Sequence, residues 1–591
     1  MVKVDMLRPM SHRNPLSHRI LAVLTALVLL IGPASALDLP EGASGLAQKP
    51  LVKAKKHMIV AAHPLAAEAG LEMLRQGGAA IDAGIAAQAV LTLVEPQSSG
   101  IGGGAFVLYW DVAQKTLTSY DGRETAPAGA TPDVFLDAAG KPLPRPVAMH
   151  SGRSVGVPGV LAMLKRVHDE YGKLPWAELF QPAIALARDG FPVTARLAKM
   201  LSNADPNTFD ATARAYFFDE NVQPRPAGYI LKNEQLAETF EIIARDGIEA
   251  FYKGPIATDV AKSVQNDPRG AGTLSEADFA GYQAKTRPAV CVPYRGHEVC
   301  GMGPPSSGAV AVGQTLGLVA PFDLGTTPMD ASAAHIIAEA ERLAFADRAR
   351  YLADPDKVAV PVDGLLDKDY LAARRKLIDP NRAAETVTHG TPPDLTQAFG
   401  RDATKEKGGT SHVSVVDDSG DAFSLTTSIE FAFGARSMVR GFLLNNQLTD
   451  FSFLPKDKDG MDIANRVAPG KRPRSSMDPT LIFGPDGDLD YVLGSPGGAG
   501  IILFNLKAIF ALIDWGMNPA EAAALVNFGG TPHGVLLETG AEWDELEQAL
   551  AAKGHKVKRI PMTSGQHIIA VTPEGLKGGA DPRRDGIALG D

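Results

Sequence analysis

Beyond Gly409 the sequence breaks into short apolar strands joined by tight polar turns, and no other feature restricts the fold as much. His412 to Asp417 and Ala422 to Ile429 flank Asp418-Ser419-Gly420-Asp421, a hairpin signal. Thr480 to Phe483 and Leu489 to Leu493 repeat the pattern around Pro485-Asp486-Gly487-Asp488. Val557 to Ile560, Ile568 to Val571 and the closing stretch GGADPRRDG read as further strands. Hairpins of this kind need a second layer to cover their apolar faces. The largely apolar segment Ile501 to Leu512 predicts a packed helix. The expected class is α+β, with two sheets face to face under helical layers.

The upstream part supplies more helices. Leu65 to Arg75 and Ala79 to Val94 are rich in Ala and Leu and are broken at Gly77-Gly78. The stretch PQSSGIGGGAF follows, then an apolar strand from Phe106 to Trp110. Helical patterns dominate from about 155 to 265, as in Leu174 to Asp189 and Asn233 to Asp246. Ala331 to Arg348 is a long helix, and residues 355 to 405 are charged and irregular. No repeat and no linker divides the 591 residues into separate domains.

Ile20 to Ile31 is apolar but for one Thr, follows Lys3, Arg8, Arg13 and Arg19, and precedes Ala34-Ser35-Ala36. Twelve residues suit the apolar core of an export signal and fall short of a membrane span. Residues 1–36 are read as that signal, against the alternative of an uncleaved anchor, and the expected location is periplasmic or secreted. Those residues carry four basic and one acidic side chains, so their removal takes the net charge from −10 to −13. An acidic exported protein is poorly suited to nucleic acid or to anionic lipid.

Cys291 and Cys300 are the two cysteines. A hairpin turning at Arg295-Gly296 sets them opposite one another at a non-hydrogen-bonded pair, close enough for a disulfide. Two free thiols remain the alternative.

Several motifs fail on context. Gly100-Ile101-Gly102 with Ala105 fits a dinucleotide fingerprint in letters, but a helix precedes it and a strand follows, the reverse of what that loop requires. Gly152-Arg153-Ser154-Val155-Gly156 fits a nucleophile elbow, yet the Pro-rich stretch ending at His150 makes a poor strand before it. The histidines show no metal-ligand spacing, so neither metal nor cofactor is expected, and His412 reads as a packed or orienting residue.

Lys407-Gly408-Gly409-Thr410 opens the first hairpin. The two glycines mark either a linker or a point of cleavage that exposes Thr410. Two further clusters are dense in polar groups: Asn445-Asn446-Gln447 with Thr449-Asp450, and Arg474-Ser475-Ser476-Met477 with Gly494 to Gly498. Gly497-Gly498 precede a helix and can aim backbone N–H groups at an anion. With an N-terminal Thr, these clusters make a nucleophile, an anion hole and groups for both ends of an amino acid.

The stretches T-S-H-V-S-V-V-D, L-L-N-N-Q-x-x-D-F, R-P-x-S-S-M and G-S-P-G-G resemble the small subunit of γ-glutamyltranspeptidases. SGIGGGAF, Gly122-Arg123-Glu124-Thr125-Ala126-Pro127 and Pro304 to Gly308 resemble the large subunit. The resemblance runs from about Ala47 to Asp585 and implies the αββα sandwich of N-terminal nucleophile hydrolases. It implies a precursor that cuts itself between Gly409 and Thr410, giving a large subunit of residues 37–409 and a catalytic small subunit of residues 410–591, folded as one intertwined unit.

The activity implied is γ-glutamyltransferase and glutathione hydrolase. Thr410 would attack the γ-glutamyl amide with its own α-amino group as base. Ser428 stands where the family has a second Thr beside the nucleophile, and Gly497 and Gly498 would form the oxyanion hole. Arg123, Ser475 and Ser476 would hold the substrate α-carboxylate; Gln447 and Asp450 would hold the α-ammonium. Glu430 departs from the Asn of well-studied members, and the lid segment Phe451 to Lys471 is short and lacks Tyr. Partners implied are glutathione, other γ-glutamyl compounds and acceptor amino acids or peptides. The alternatives are a glutaryl-type β-lactam acylase of the same fold and a non-catalytic binding paralogue.

Overall fold

Fourteen strands build two seven-stranded sheets. In chain order they are β1 (Val52–Ala54), β2 (Met58–Ala61), β3 (Gly104–Asp111), β4 (Thr116–Gly122), β5 (Lys285–Arg287), β6 (Val290–Tyr294), β7 (His297–Gly301), β8 (Thr410–Val416), β9 (Ala422–Ser428), β10 (Thr480–Phe483), β11 (Leu489–Gly494), β12 (His567–Thr572), β13 (Gly575–Ala580) and β14 (Ile587–Gly590). The computed structural model describes residues 43–404, 406 and 408–591. The export signal expected over residues 1–36 lies outside them. Among the described residues no helix is long and apolar enough to cross a membrane.

The first sheet runs β1-β13-β12-β11-β10-β7-β6 and the second β14-β2-β8-β9-β3-β4-β5. Each pairing between neighbours is antiparallel. The inner faces meet over Met58, Val60, Leu108, Trp110, Leu481, Phe483, Val492 and Ile569. Trp110 of one sheet and Phe483 of the other pack with ring centroids 4.7 Å apart. Apolar side chains at alternate positions therefore do what period 2 demands and fill the space between the layers.

Helices cover both outer faces. α1 (Pro64–Arg75) and α2 (Ala80–Val94) lie on the second sheet; α3 (Gly308–Val319) and α5 (Gly500–Ile513) lie on the first, with α4 (Ala331–Tyr351) outside α3. Every residue of α2 is buried, as expected for a helix apolar on all sides between a sheet and an outer layer. The layering is αββα, as the resemblance implied.

Three expected elements differ, and the first is the stretch 355 to 405, read as irregular, which holds two short helices, Val362–Leu366 and Lys368–Arg375. The helix expected from Leu174 to Asp189 is a 3-10 turn, Trp176–Phe180, followed by a helix, Gln181–Asp189. Pro182 has no N–H to continue the first turn and suits the start of a new helix. The stretch GGADPRRDG is a strand only to Ala580. Pro582 cannot donate to a ladder, and Arg583 turns inward to pair with Asp581 and Glu538.

Cys291 and Cys300 face each other across β6 and β7 with Cα atoms 4.0 Å apart and are joined by a disulfide. Changing both to Ser is expected to lower stability by about 2–3 kcal/mol, the loop-closure entropy of so short a ring, read as a lower denaturant midpoint.

Candidate active site

Strand β8 lies near the middle of the second sheet, between β2 and β9. Its alternation sends Val413 and Val415 to the helical side. His412 and Ser414 point toward the first sheet, where Ser414 Oγ donates to the His567 carbonyl at 3.0 Å. His412 contacts Thr426 Oγ1 at 2.9 Å and Ser414 Oγ at 3.0 Å through its two ring nitrogens. Burial, then His567, hold its pKa well below the usual range. It is a neutral, packed residue. Period 2 puts Thr410 on this same inward face, at the strand's open end.

Thr410 pairs in register with Ser428 of β9. Ser428 Oγ accepts from the Glu430 N–H at 2.7 Å and donates to the Gly409 carbonyl at 2.6 Å. One bond fixes the hydroxyl so that its proton points at the carbonyl just before Thr410. A Cβ on Gly409 would lie 1.9 Å from the Glu430 carbonyl oxygen, so only Gly fits this approach. Glu430 itself has φ +77°, a strained value for a non-glycine residue. The strain sits at the point where the backbone folds over the Gly409–Thr410 bond.

A narrow cleft of about 10 Å³ opens here, lined by Thr410, Ser428, Glu430, Gln447, Asp450, Ser475, Ser476 and Gly498, with Glu406, Met477 and Ile501. No residue of the expected lid, 451–471, is among its lining. One side is rich in acceptors. Glu430 Oε1, Gln447 Oε1 and Asp450 Oδ1 are buried and make no hydrogen bond. Burial, then the neighbouring Asp450, push the Glu430 carboxyl well above its ordinary range. Asp450 Oδ2 is occupied: it accepts from Arg123 Nη2 at 2.6 Å and from Gln447 Nε2 at 3.2 Å. Burial and the closeness of the two carboxyls keep a proton between Glu430 and Asp450, and a cationic donor would take its place beside them and Gln447 Oε1.

The 3-10 turn Gln447–Asp450 that presents two of these groups is braced by asparagines. Asn445 Nδ2 donates to the Gly102 and Gly156 carbonyls, at 2.8 and 2.9 Å. Asn465 Nδ2 donates to the Asp450 carbonyl at 2.7 Å.

Near Ser475 and Ser476 two buried arginines, Arg348 and Arg474, are balanced by two buried carboxylates, Glu406 and Asp402. Arg474 and Arg348 are buried, and Arg348 donates to Ser476 Oγ at 2.6 Å and to Ser307 Oγ at 2.8 Å. Ser475 Oγ accepts from the Met477 N–H at 3.1 Å. Arg123, expected to reach a substrate carboxylate, lies behind Asp450 instead. It is fully buried, its Nη2 is held by Asp450 and the Arg474 carbonyl, and its Nη1 makes no hydrogen bond. Arg123 Nη2 therefore braces Asp450, whereas the guanidinium that reaches Ser476 Oγ is that of Arg348.

Gly498 lines the cleft just before α5. Gly497 and Gly498 have φ of +145° and +55°. A side chain at Gly497 would also strike Phe504, 2.6 Å from its Cβ position. Among the described residues no acceptor takes either N–H. Two such groups in left-handed backbone make a concavity suited to an oxyanion.

The gamma-glutamyltranspeptidase family model matches residues 66–591. The chain belongs to that family. The glutathione hydrolase proenzyme of Bacillus subtilis (strain 168) is 36% identical over 549 residues, spanning 91% of this chain and 92% of that protein. The proenzyme of the same name from Escherichia coli (strain K12) is 37% identical over 546 residues, spanning 90% and 91%. A cephalosporin acylase structure from Bacillus halodurans superposes with a TM-score of 0.81 at 28% identity, covering 95% of this chain and 99% of that one. The αββα layering is accordingly the N-terminal nucleophile hydrolase fold, and the protein is an enzyme of the γ-glutamyltranspeptidase and glutathione hydrolase family.

The motifs rejected on context occupy other roles in this family member. Gly100 to Gly103 lie between α2 and β3, and Gly104 and Ala105 open β3. Ser154 is buried after a helix, Arg145–Met149, and its hydroxyl is spent on the Met149 and Ser151 carbonyls. Among the described residues the one close grouping of metal-type side chains is Cys291, Glu298 and Cys300, whose sulfurs are already joined.

Sequence reasoning overlooked three charged residues here. Arg348 ends a long helix with no motif around it. Arg145, in a Pro-rich stretch, places Nη2 3.9 Å from Glu430 Oε1. Glu406 follows directly on the segment 355 to 405, read as irregular. Only the last had a signal in reach, its position four residues before Thr410.

Proposed function

We propose that the protein is a self-processing γ-glutamyltransferase and glutathione hydrolase with Thr410 as nucleophile. The observation that carries this reading is the polarity of the cleft. Oxygens of Glu430, Gln447 and Asp450 that accept no hydrogen bond line the cleft with Thr410, and so do Ser475 and Ser476, the latter accepting from the Arg348 guanidinium. That is the complement of an amino acid's ammonium and carboxylate.

In the precursor, Thr410 Oγ attacks the Gly409 carbonyl carbon while Ser428 stabilises its oxygen. The Oγ–C bond forms, the C–N bond breaks, and the hydroxyl proton ends on the freed amine. Water then cleaves the ester to a Gly409 carboxylate and the Thr410 hydroxyl, leaving residues 37–409 and 410–591 as two subunits. In the mature enzyme the Thr410 amine, with a reference pKa of roughly 7.7–8.0, takes the hydroxyl proton. Oγ attacks the γ-carbonyl of the donor, and the N–H groups of Gly497 and Gly498 receive the oxyanion. The amine leaves, and water or an acceptor amino acid or peptide takes the acyl group. Gln447, Asp450 and Glu430 hold the donor's ammonium. Ser475 and Ser476 hold its carboxylate, with Arg123 behind Asp450.

A glutaryl-type acylase substrate has no ammonium to satisfy Asp450 Oδ1 and Glu430 Oε1, so the acceptor side favours glutamyl donors. Export by residues 1–36 to the periplasm or beyond belongs to the same proposal, and a disulfide suits an oxidising compartment.

Ser428→Ala is expected to slow scission of the Gly409–Thr410 bond by roughly 10²–10³, the usual effect of losing one oxyanion donor. The measurement is intact mass against time. Assay of the cut protein with γ-glutamyl amides tests the activity itself, and a fully processed protein inert toward them would overturn it.

A further inference from the structure

Glu406 does not behave as part of an irregular connection. It is 4% exposed. Its carboxylate accepts from Ser476 Oγ at 2.6 Å, from Arg474 Nε at 3.1 Å and from Arg348 Nη2. Arg474 also places Nη2 3.1 Å from Oε1. Burial alone would raise its pKa; Arg348 and Arg474 hold it down, at about 2. The Arg348 guanidinium, the Ser476 hydroxyl and the Arg474 guanidinium, which is shared with Asp402 at 3.0 Å, form a built carboxylate site around Glu406. Ser476 is also the cleft residue assigned above to the donor's carboxylate.

We propose that Glu406 is an internal occupant of the carboxylate subsite: in the uncut chain it anchors the segment before the scissile bond and excludes γ-glutamyl donors. The excluded ligand's identity rests on the function proposed above; the anchoring does not. Glu406 is fixed by Ser476 and the two arginines, and Gly409 is fixed by Ser428. With the chain clamped on both sides of Gly408, the Gly409 carbonyl stays over Thr410, which is the orientation an intramolecular attack needs. Scission removes the second clamp. Glu406 is then tethered from one side only, its effective concentration at the subsite falls, and a free donor can displace it.

The first test follows scission of the freshly purified full chain by intact mass. Glu406→Gln, which keeps the shape and removes the charge, and Glu406→Ala are each expected to slow it at least fivefold; a smaller effect in both overturns the anchoring. The second test uses the Thr410→Ala chain, which cannot cut, with L-glutamate as probe in calorimetry. Binding is expected to be at least tenfold weaker than in Thr410→Ala/Glu406→Ala. Equal affinity overturns the exclusion, and so does failure of the double variant to bind when the cut parent protein binds L-glutamate. A cut parent that neither binds L-glutamate nor turns over γ-glutamyl amides overturns the donor assignment, and the scission rates then decide the role of Glu406 alone.

Discussion

Thr410→Ala is expected to leave one uncut chain with no measurable turnover of γ-glutamyl amides. Both losses come from the same atom, because Oγ is the proposed nucleophile first toward the Gly409 carbonyl and then toward the donor. Removing a covalent nucleophile elsewhere costs on the order of 10⁶ in kcat, enough to put activity at background. The variant should fold, since Thr410 Oγ makes no hydrogen bond to the described residues and the β8 ladder uses only backbone groups. Thr410→Ser keeps a hydroxyl and is expected to cut and turn over at reduced rates. The checks are intact mass, N-terminal sequencing of any small fragment, and release of an amine from a γ-glutamyl amide. A cut Thr410→Ala chain, or an active uncut one, would contradict the assignment.

Asp450→Asn is expected to lower kcat/KM for γ-glutamyl amides by roughly 10²-fold, mostly through KM. The size follows from a charged hydrogen bond to the donor's ammonium, about 1.5–3 kcal/mol. The substitution also disturbs Arg123, whose Nη2 is held by Asp450 at 2.6 Å. That disturbance acts on every substrate alike. Glutaryl amides, which share the acyl chain but lack the ammonium, therefore serve as the internal reference. Their kcat/KM should change by at least tenfold less. Equal losses on the two series would mean that Asp450 acts through Arg123 and the shape of the cleft, without touching the ammonium.

Much of the fold was legible because it follows from short-range patterns. The hairpins β8–β9 and β10–β11 announce themselves by apolar strands around Asp/Gly turns, and α2 and α5 by long, largely apolar runs. Met58–Ala61 was not legible: four residues buried on both faces show no alternation, and the charged run before them hides the strand. The site divides in the same way. Thr410, Ser475, Ser476 and Gly498 lie in contiguous motifs. Arg348 and Glu406 matter only through contacts to residues 128 and 70 positions away, which local sequence cannot encode. Arg123 shows the opposite case, a recognisable motif residue whose partner, Asp450, is 327 positions away.

The position of β8 has a consequence for how such a protein can be made. A cut before Thr410 leaves strands of the two pieces interleaved, with β2–β8, β2–β14, β3–β9, β1–β13 and β7–β10 all becoming ladders between separate chains. Neither piece retains a complete sheet. The information that aligns them resides in the continuous precursor, where each pairing is a loop closure; after the cut, each is an encounter between two molecules. Reassembly of a mature molecule that comes apart would therefore depend on the concentration of both pieces, whereas first assembly of the precursor does not.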